Sequence, residues 1–438
     1  MRNSIKSKER EVYYVGEGFY KVFTPGEELK GYFHYPAQMR LISDSYLNQK
    51  KNKQPLLILS ETRYPYVDYV QKLDDLLNLG KFDIKDASIF IFTMLEPRAA
   101  TYSYWVPYLI HKYGVDPKQI VYVNTSYCEL DAELDIKVVT RPTLPIKIAT
   151  NYDNLSVYDP THEINMYLHT KDKLFSSLVR RLNISRVLAT AALMKNFDEK
   201  DYILSCGVDD AAMTDNQVRY FDRIAASTGF GLDFSKKLPI RLDDSPLDVT
   251  NPIGNQFQLT HPSLRECVFE VVHETVGAQC IFMEESVMTT DNFLSFTEKS
   301  FRHAYNLQIP IFINRSGFYE HFYKSFDQEP HVGIPWEEWD KIDNYHTKVN
   351  EVVKFLKEMQ KKDLYNEIVL PNKEIFRQNA LTLHHHALAT HIHAVYMTIE
   401  AIEGHWNDNG RLESMAQKYL SKAPPEVCEI FNKKSHIW

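Results

Sequence analysis

Glycine is scarce here, with 15 in 438 residues, about half the usual ~7% share. That argues against glycine-rich phosphate cradles, collagen-like repeats and flexible linkers. Gly16-Glu-Gly18 lacks the third glycine of a dinucleotide fingerprint, and no Gly-x-x-x-x-Gly-Lys-Ser/Thr occurs. Cysteine is sparse and odd in number: Cys128, Cys206, Cys267, Cys280 and Cys428, with no Cys-x-x-Cys. This pattern fits thiols buried as small apolar groups in a reducing cytoplasm. Long hydrophobic runs are missing too. The stretch Ser88–Leu95 falls far short of the ~20 residues a spanning helix needs, and MRNSIKSKER has no apolar region behind it. Positive charge is not in excess: 50 Lys and Arg against 58 Asp and Glu leave a net charge of −8. The chain is therefore not a basic nucleic-acid coat, although a local basic groove is compatible with that total.

What is present is ordinary globular material, 44% hydrophobic and 25% charged, with an unusual aromatic load of 27 Tyr and 24 Phe. At roughly 150 residues per domain the length suggests two or three domains. The first fifty residues are Tyr-rich and irregular. Tyr13–Tyr20 and Tyr32–Tyr35 read as strand and core packing before they read as stacking surfaces for sugars or bases. After the polar run 48–53, short apolar strands alternate with helical patterns. Strands are predicted at 55–60, 87–95 and 119–123, and helices at 67–79 and 99–113, ending at Gly80 and Gly114. Residues 139–170 hold Pro142, Pro145 and Pro160 and read as a connection. The alternation then restarts. Strands are predicted at 173–179, 202–206, 267–272 and 309–313, and helices at 185–194, 217–226, 298–306, 318–326 and 349–359. A long helical pattern, broken once, covers 373–405. Such alternation means βαβ units and parallel sheets. The expected organisation is an N-terminal Rossmann-like domain (1–165), a C-terminal Rossmann-like domain (166–370) and C-terminal helices (371–438).

The most informative segment is 295–303. Thr297 is a good N-cap and Glu298 suits a first helical turn, but Lys299 opposes the helix dipole there. Its sign becomes favourable if an anion sits at that helix end, where free N–H groups and Lys299 meet the same phosphate. Otherwise it is a lysine reaching into solvent. Arg180 and Arg181 follow a strand, where open α/β sheets place their ligands. Ser185 and Arg186 stand at the start of the next helix.

The run Thr297-Glu-Lys-Ser-Phe-Arg, then a helix, then Ile-Pro-Ile-Phe-Ile resembles the donor motif of fucosyltransferase-like glycosyltransferases, in particular the glycosyltransferase-like proteins of large phages. The segments 173–186, 317–326 and 336–343 match further landmarks of that family, in order and spacing, over residues 171–360. Val179 before the first arginine and Gln308 before the strand replace the family's usual residues, and 273–275 is followed by a longer insertion. The resemblance implies a GT-B architecture: two Rossmann-like domains facing across a cleft, with C-terminal helices returning to the N-terminal domain. It implies a nucleotide diphosphate sugar as donor and no other cofactor. Glu298 would accept from ribose hydroxyls, Lys299 would contact the diphosphate, and Arg180 or Arg181 would clamp it, with Thr297, Ser185 and Arg186 adding donors. No Asp-x-Asp occurs in the chain, which favours a metal-independent reaction in which Arg and Lys neutralise the phosphates.

An inverting transfer also needs a base. Glu61 and Glu96, each following an N-terminal strand, are the candidates, against the plain reading of solvated loop glutamates. The expected acceptor is a hydroxyl, with a hydroxymethylated base in duplex phage DNA as one possibility and a glycan, lipid-linked or protein acceptor as others. A non-catalytic nucleotide-binding protein and a nucleotide-sugar epimerase are the competing classes. No membrane partner is expected. Five histidines lie within 384–393 without an i, i+4 pair, so a polar helix crossing the interdomain cleft is favoured over a zinc site.

Overall fold

The computed structural model describes residues 12–16, 19–23, 54–61, 66–93, 99–124, 136–140, 160–179, 182–207, 214–238, 240, 262–273, 298–386, 388–389, 421 and 425–434. The chain is mixed α/β and divides into two compact units. One holds 1–142, 290–295 and 389–438; the other holds 143–289 and 296–388. The first division thus falls at 142, where the proline spacing suggested 165. The chain passes back into the first unit at 389, where the sequence pattern suggested 371.

The first unit is built on a six-stranded sheet of β1 (Val12–Gly16), β2 (Phe19–Phe23), β3 (Leu56–Glu61), β4 (Ser88–Thr93), β5 (Ile120–Asn124) and β6 (Lys137–Thr140). Their order is β2-β1-β3-β4-β5-β6; β2 is antiparallel to β1 and every other pair is parallel. From β3 onward each strand is laid beside the last, so the parallel run never reverses direction. One face carries Tyr13, Leu57, Leu59, Ile89, Ile91 and Tyr122. It packs on Leu73 and Leu76 of α1 (Tyr66–Leu77) and on Val106 and Leu109 of α2 (Ala99–Tyr113). The opposite face, with Val12, Tyr14, Leu56, Ile58, Phe90 and Val121, is equally buried. Burial on both faces is why these strands read as unbroken apolar runs. Gly80 and Gly114, with φ of +65° and +66°, close α1 and α2 in the left-handed conformation glycine tolerates. β1 and β2 bear out the reading of Tyr13–Tyr20 as strand and core packing, although no strand bounds were predicted within residues 1–50. Val12-Tyr-Tyr-Val15 is a β-branched and aromatic run that pairs inside the sheet, between β2 and β3.

The second unit holds a four-stranded parallel sheet of β7 (Lys173–Val179), β8 (Tyr202–Cys206), β9 (Cys267–Val272) and β10 (Ile309–Phe312), in the order β10-β9-β7-β8. Helices α3 (Ile184–Asn196), α4 (Asp215–Ser227) and α5 (Glu298–Tyr305) lie in the connections between its strands. They are followed by α6 (Phe318–Phe326), the short helix Trp336–Asp340 and α7 (Tyr345–Met359). A helix over Pro160–Tyr167 stands where the sequence suggested only a connection, and it belongs to this unit. The amino ends of the sheet are tied by Lys171. Its buried Nζ donates to the carbonyls of Cys267 (2.7 Å), Arg265 (3.0 Å) and Asn306 (3.4 Å), and burial lowers its pKa to about 7. Among the described residues no helix is long and apolar enough to cross a membrane.

Candidate ligand site at the strand crossover

Strand order decides where to look in the second unit. From β7 the chain moves outward to β8, then returns past β7 to lay down β9 on its other side. The connections leaving β7 and β9 therefore diverge. In open α/β sheets the crevice beyond the carboxyl ends of two such strands is where ligands bind. Two helices begin at this crevice, because each strand is followed by a helix that returns the chain to the amino edge.

The first is α3. Asn183 is its N-cap, with extended backbone, and its Oδ1 accepts from the Arg186 N–H (2.9 Å) and from Ser185 Oγ (2.8 Å). Arg186 is only 4% exposed, and its Nη2 donates to the carbonyl of His273, the residue after β9 (3.4 Å). It therefore ties together the two strand ends that flank the crevice. Ser185 is buried as well, and its carbonyl accepts from the Tyr345 hydroxyl at the start of α7 (3.0 Å). The same hydroxyl lies 3.3 Å from His273 Nδ1. Burial, with the Arg186 guanidinium nearby, lowers the His273 pKa to about 3. Burial raises Cys206, at the end of β8, to about 12, against the opposing pull of Thr190 and Arg186.

The second helix is α5, which carries Glu298 and Lys299 as its first two residues. It is fixed to β9 by an ion pair. Arg302 Nε lies 2.6 Å from the fully buried Glu270 carboxylate, with Nη2 on the same oxygen. Four helical residues span about 6 Å and two strand residues about 6.6 Å. Glu298, four residues before Arg302 on a helix running opposite to β9, therefore stands level with Val272 at the strand's carboxyl end. Gln308 completes the frame. Its Nε2 donates to Ser176 Oγ (2.9 Å) and the Phe269 carbonyl (3.3 Å), so it links β7, β9 and the start of β10.

A further cation lies at the end of β10. Lys348 is 1% exposed, and its Nζ donates to the Asn314 carbonyl (2.5 Å). Burial lowers its pKa to about 8, while Asp340 and Asp343 pull it back up.

Comparison of the chain with family models, with curated proteins and with solved structures gives no match. The site therefore rests on its geometry alone.

Of the residues singled out from sequence, Ser185, Arg186, Glu298 and Lys299 come to one crevice. For Glu298 and Lys299 this is a statement about the backbone. Ser185 and Arg186 are buried, at 1% and 4% exposed, and their hydrogen bonds join the start of α3 to the end of β9 and to α7. Arg180, Arg181, Thr297 and Glu96 lie outside the described residues. Glu61 is the last residue of β3 in the first unit, paired in register with Thr93. Sequence reasoning missed Tyr345 and Lys348 and passed over His273 as part of an acidic segment. Lys348 was legible by the signal used for Lys299, a cation in the opening turn of a helix with a clear N-cap, here Asn344.

In the histidine-rich helix His384 and His386 are 3% and 0% exposed and lie within the second unit. His386 Nε2 pairs with Asp327 Oδ2 (2.8 Å), and His384 packs edge-on against Tyr305. His391 and His393 lie outside the described residues. Among the described residues no three His, Cys, Asp or Glu side chains form a metal ligand set.

Proposed function

We propose that the chain is a glycosyltransferase of GT-B type. In this reading the second unit binds a nucleoside diphosphate sugar at the crevice between β7 and β9, and the sugar passes to an acceptor hydroxyl. The observation that carries the proposal is the reversal of strand order there, with α3 and α5 both opening onto the same crevice. Two helix N-termini supply unpaired N–H groups and the positive end of a dipole, which together attract a diphosphate. Lys299, in the first turn of α5, gains from such an anion and is otherwise misplaced. Arg180 and Arg181, between β7 and α3, are the neighbouring cations in sequence. The lack of an Asp-x-Asp in the chain supports phosphate neutralisation by these side chains, with no need for a divalent ion.

For the acceptor, a hydroxymethylated pyrimidine in duplex phage DNA is the reading we favour. It requires positive charge concentrated at the site despite the net −8, and activity that falls steeply with salt. Glu61, at a strand's carboxyl end in the first unit, is the proposed base, with Glu96 as its alternative.

The test is equilibrium binding of UDP, GDP, UDP-glucose and GDP-mannose to the full chain. A true ligand at a hundred times its Kd stabilises the fold by about 2.7 kcal/mol, an easily read thermal shift. Lys299→Ala is expected to weaken that binding at least tenfold. If no nucleotide shifts the wild-type transition, the nucleotide reading is wrong. If one does and Lys299→Ala binds it equally well, the crevice assignment is wrong.

A further inference from the structure

His273 is the first residue beyond β9, at the crevice, and it is 2% exposed. Its hydrogen bonding fixes its tautomer. The Tyr345 hydroxyl donates its one proton to the Ser185 carbonyl, so it meets His273 Nδ1 with a lone pair. Nδ1 must therefore carry the ring proton. Nε2, on the far side of the ring, is left as a bare acceptor, and among the described residues it has no hydrogen-bond partner. A buried acceptor without a partner is costly and calls for an explanation. The Arg186 guanidinium alongside disfavours filling that lone pair with a second ring proton. An ionised phosphate cannot fill it either, because it has no hydrogen to give. What fits is an O–H or an N–H, and hydroxyls are the donors a sugar offers.

We propose that His273 Nε2 is the acceptor for a sugar hydroxyl of the ligand held at the β7–β9 crevice. This rests on the nucleotide-sugar reading of the site and adds a division of labour to it. The helix ends and the cations hold the diphosphate. The neutral, tautomer-locked imidazole reads a hydroxyl, either of the ribose or of the sugar to be transferred. A ligand with phosphates alone would pass His273 by.

Two substitutions separate the halves of the ring. His273→Asn keeps a donor at the Nδ1 position for Tyr345 and removes the Nε2 acceptor. His273→Gln places an amide oxygen near the Nε2 position. Binding of UDP, GDP, their glucose and mannose conjugates and inorganic pyrophosphate is measured by calorimetry on wild type and both variants. The expected result for His273→Asn is about a tenfold loss for the sugar-bearing ligands, unchanged pyrophosphate binding, and partial recovery in His273→Gln. A loss confined to the conjugates assigns the hydroxyl to the transferred sugar; a loss shared with UDP or GDP assigns the contact to the nucleoside. Equal binding by wild type and His273→Asn, or an equal loss for pyrophosphate, overturns the proposal while leaving the nucleotide site standing. Absence of binding by wild type overturns both. Should the variants fail to fold, the 15N resonance of His273 Nε2 in the wild type decides. It must move from a bare to a hydrogen-bonded shift on saturation with the ligand, and a fixed resonance contradicts the proposal.

Discussion

The two sheets are built from the same kind of strand and differ in what they bury. In the first unit the described interior is almost wholly apolar, and Ser88 is the one buried polar side chain among its described residues. In the second unit Lys171, Arg186, Glu270, His273, His303, Gln308, His331 and Lys348 are all buried, or belong to buried pairs, around a four-stranded sheet. The first sheet advances in one direction through its parallel strands; the second reverses between β7 and β9. Polar groups cost stability when taken from water, so a sheet carrying so many is shaped by more than folding. The coincidence of the strand reversal with Arg186, His273 and Tyr345 is why we propose the ligand site in the second unit.

The contrast can be broken most forcefully with acid. Burial lowers His273 and His331 to about 3, and holds His303 well below its ordinary value, with His331 and Arg302 adding to the effect. Each binds a proton readily only once unfolded, so stability is at its full value above pH ~6.5 and drains away as pH falls toward 3. At pH 5 the loss is about 2 kcal/mol for each of His273 and His331. Hydrogen exchange followed against pH should show the second unit opening between pH 6.5 and 5 while β3, β4 and β5 of the first unit stay protected. Simultaneous loss of protection in both units would erase the distinction.

A smaller effect is expected at the ion pair that seats α5. Arg302→Ala strips the buried Glu270 carboxylate of its arginine, at a cost of about 3 kcal/mol. Urea unfolding should show that loss. Nucleotide binding should weaken in the folded protein, because Glu298 and Lys299 lose the anchor that sets their level. A variant as stable as wild type would mean the pair contributes nothing.

Much of the second unit was legible because its elements obey local rules. The strands 173–179 and 202–206 were read to the residue, and α5 to within one residue of its end. What escaped was of two kinds. The bounds and pairing of β1 and β2 escaped, inside a segment read only as strand and core packing, because they depend on partners far along the chain, as Val12 on Leu56. The inward roles of Ser185 and Arg186 escaped because a helix start looks the same from sequence whether its side chains face a ligand or the interior. The links from Tyr345 to Ser185 and from Arg186 to His273 join residues 160 and 87 positions apart, and no local pattern reports them.

The central claim is that one crevice, at the carboxyl ends of β7 and β9, takes a nucleoside diphosphate. Hydrogen-exchange mass spectrometry of the full chain with and without saturating UDP or GDP tests it most directly. The account predicts new protection in peptides covering 179–187 and 298–303, and none in peptides from β3, β4 or β5. Protection appearing only in the first unit would contradict it.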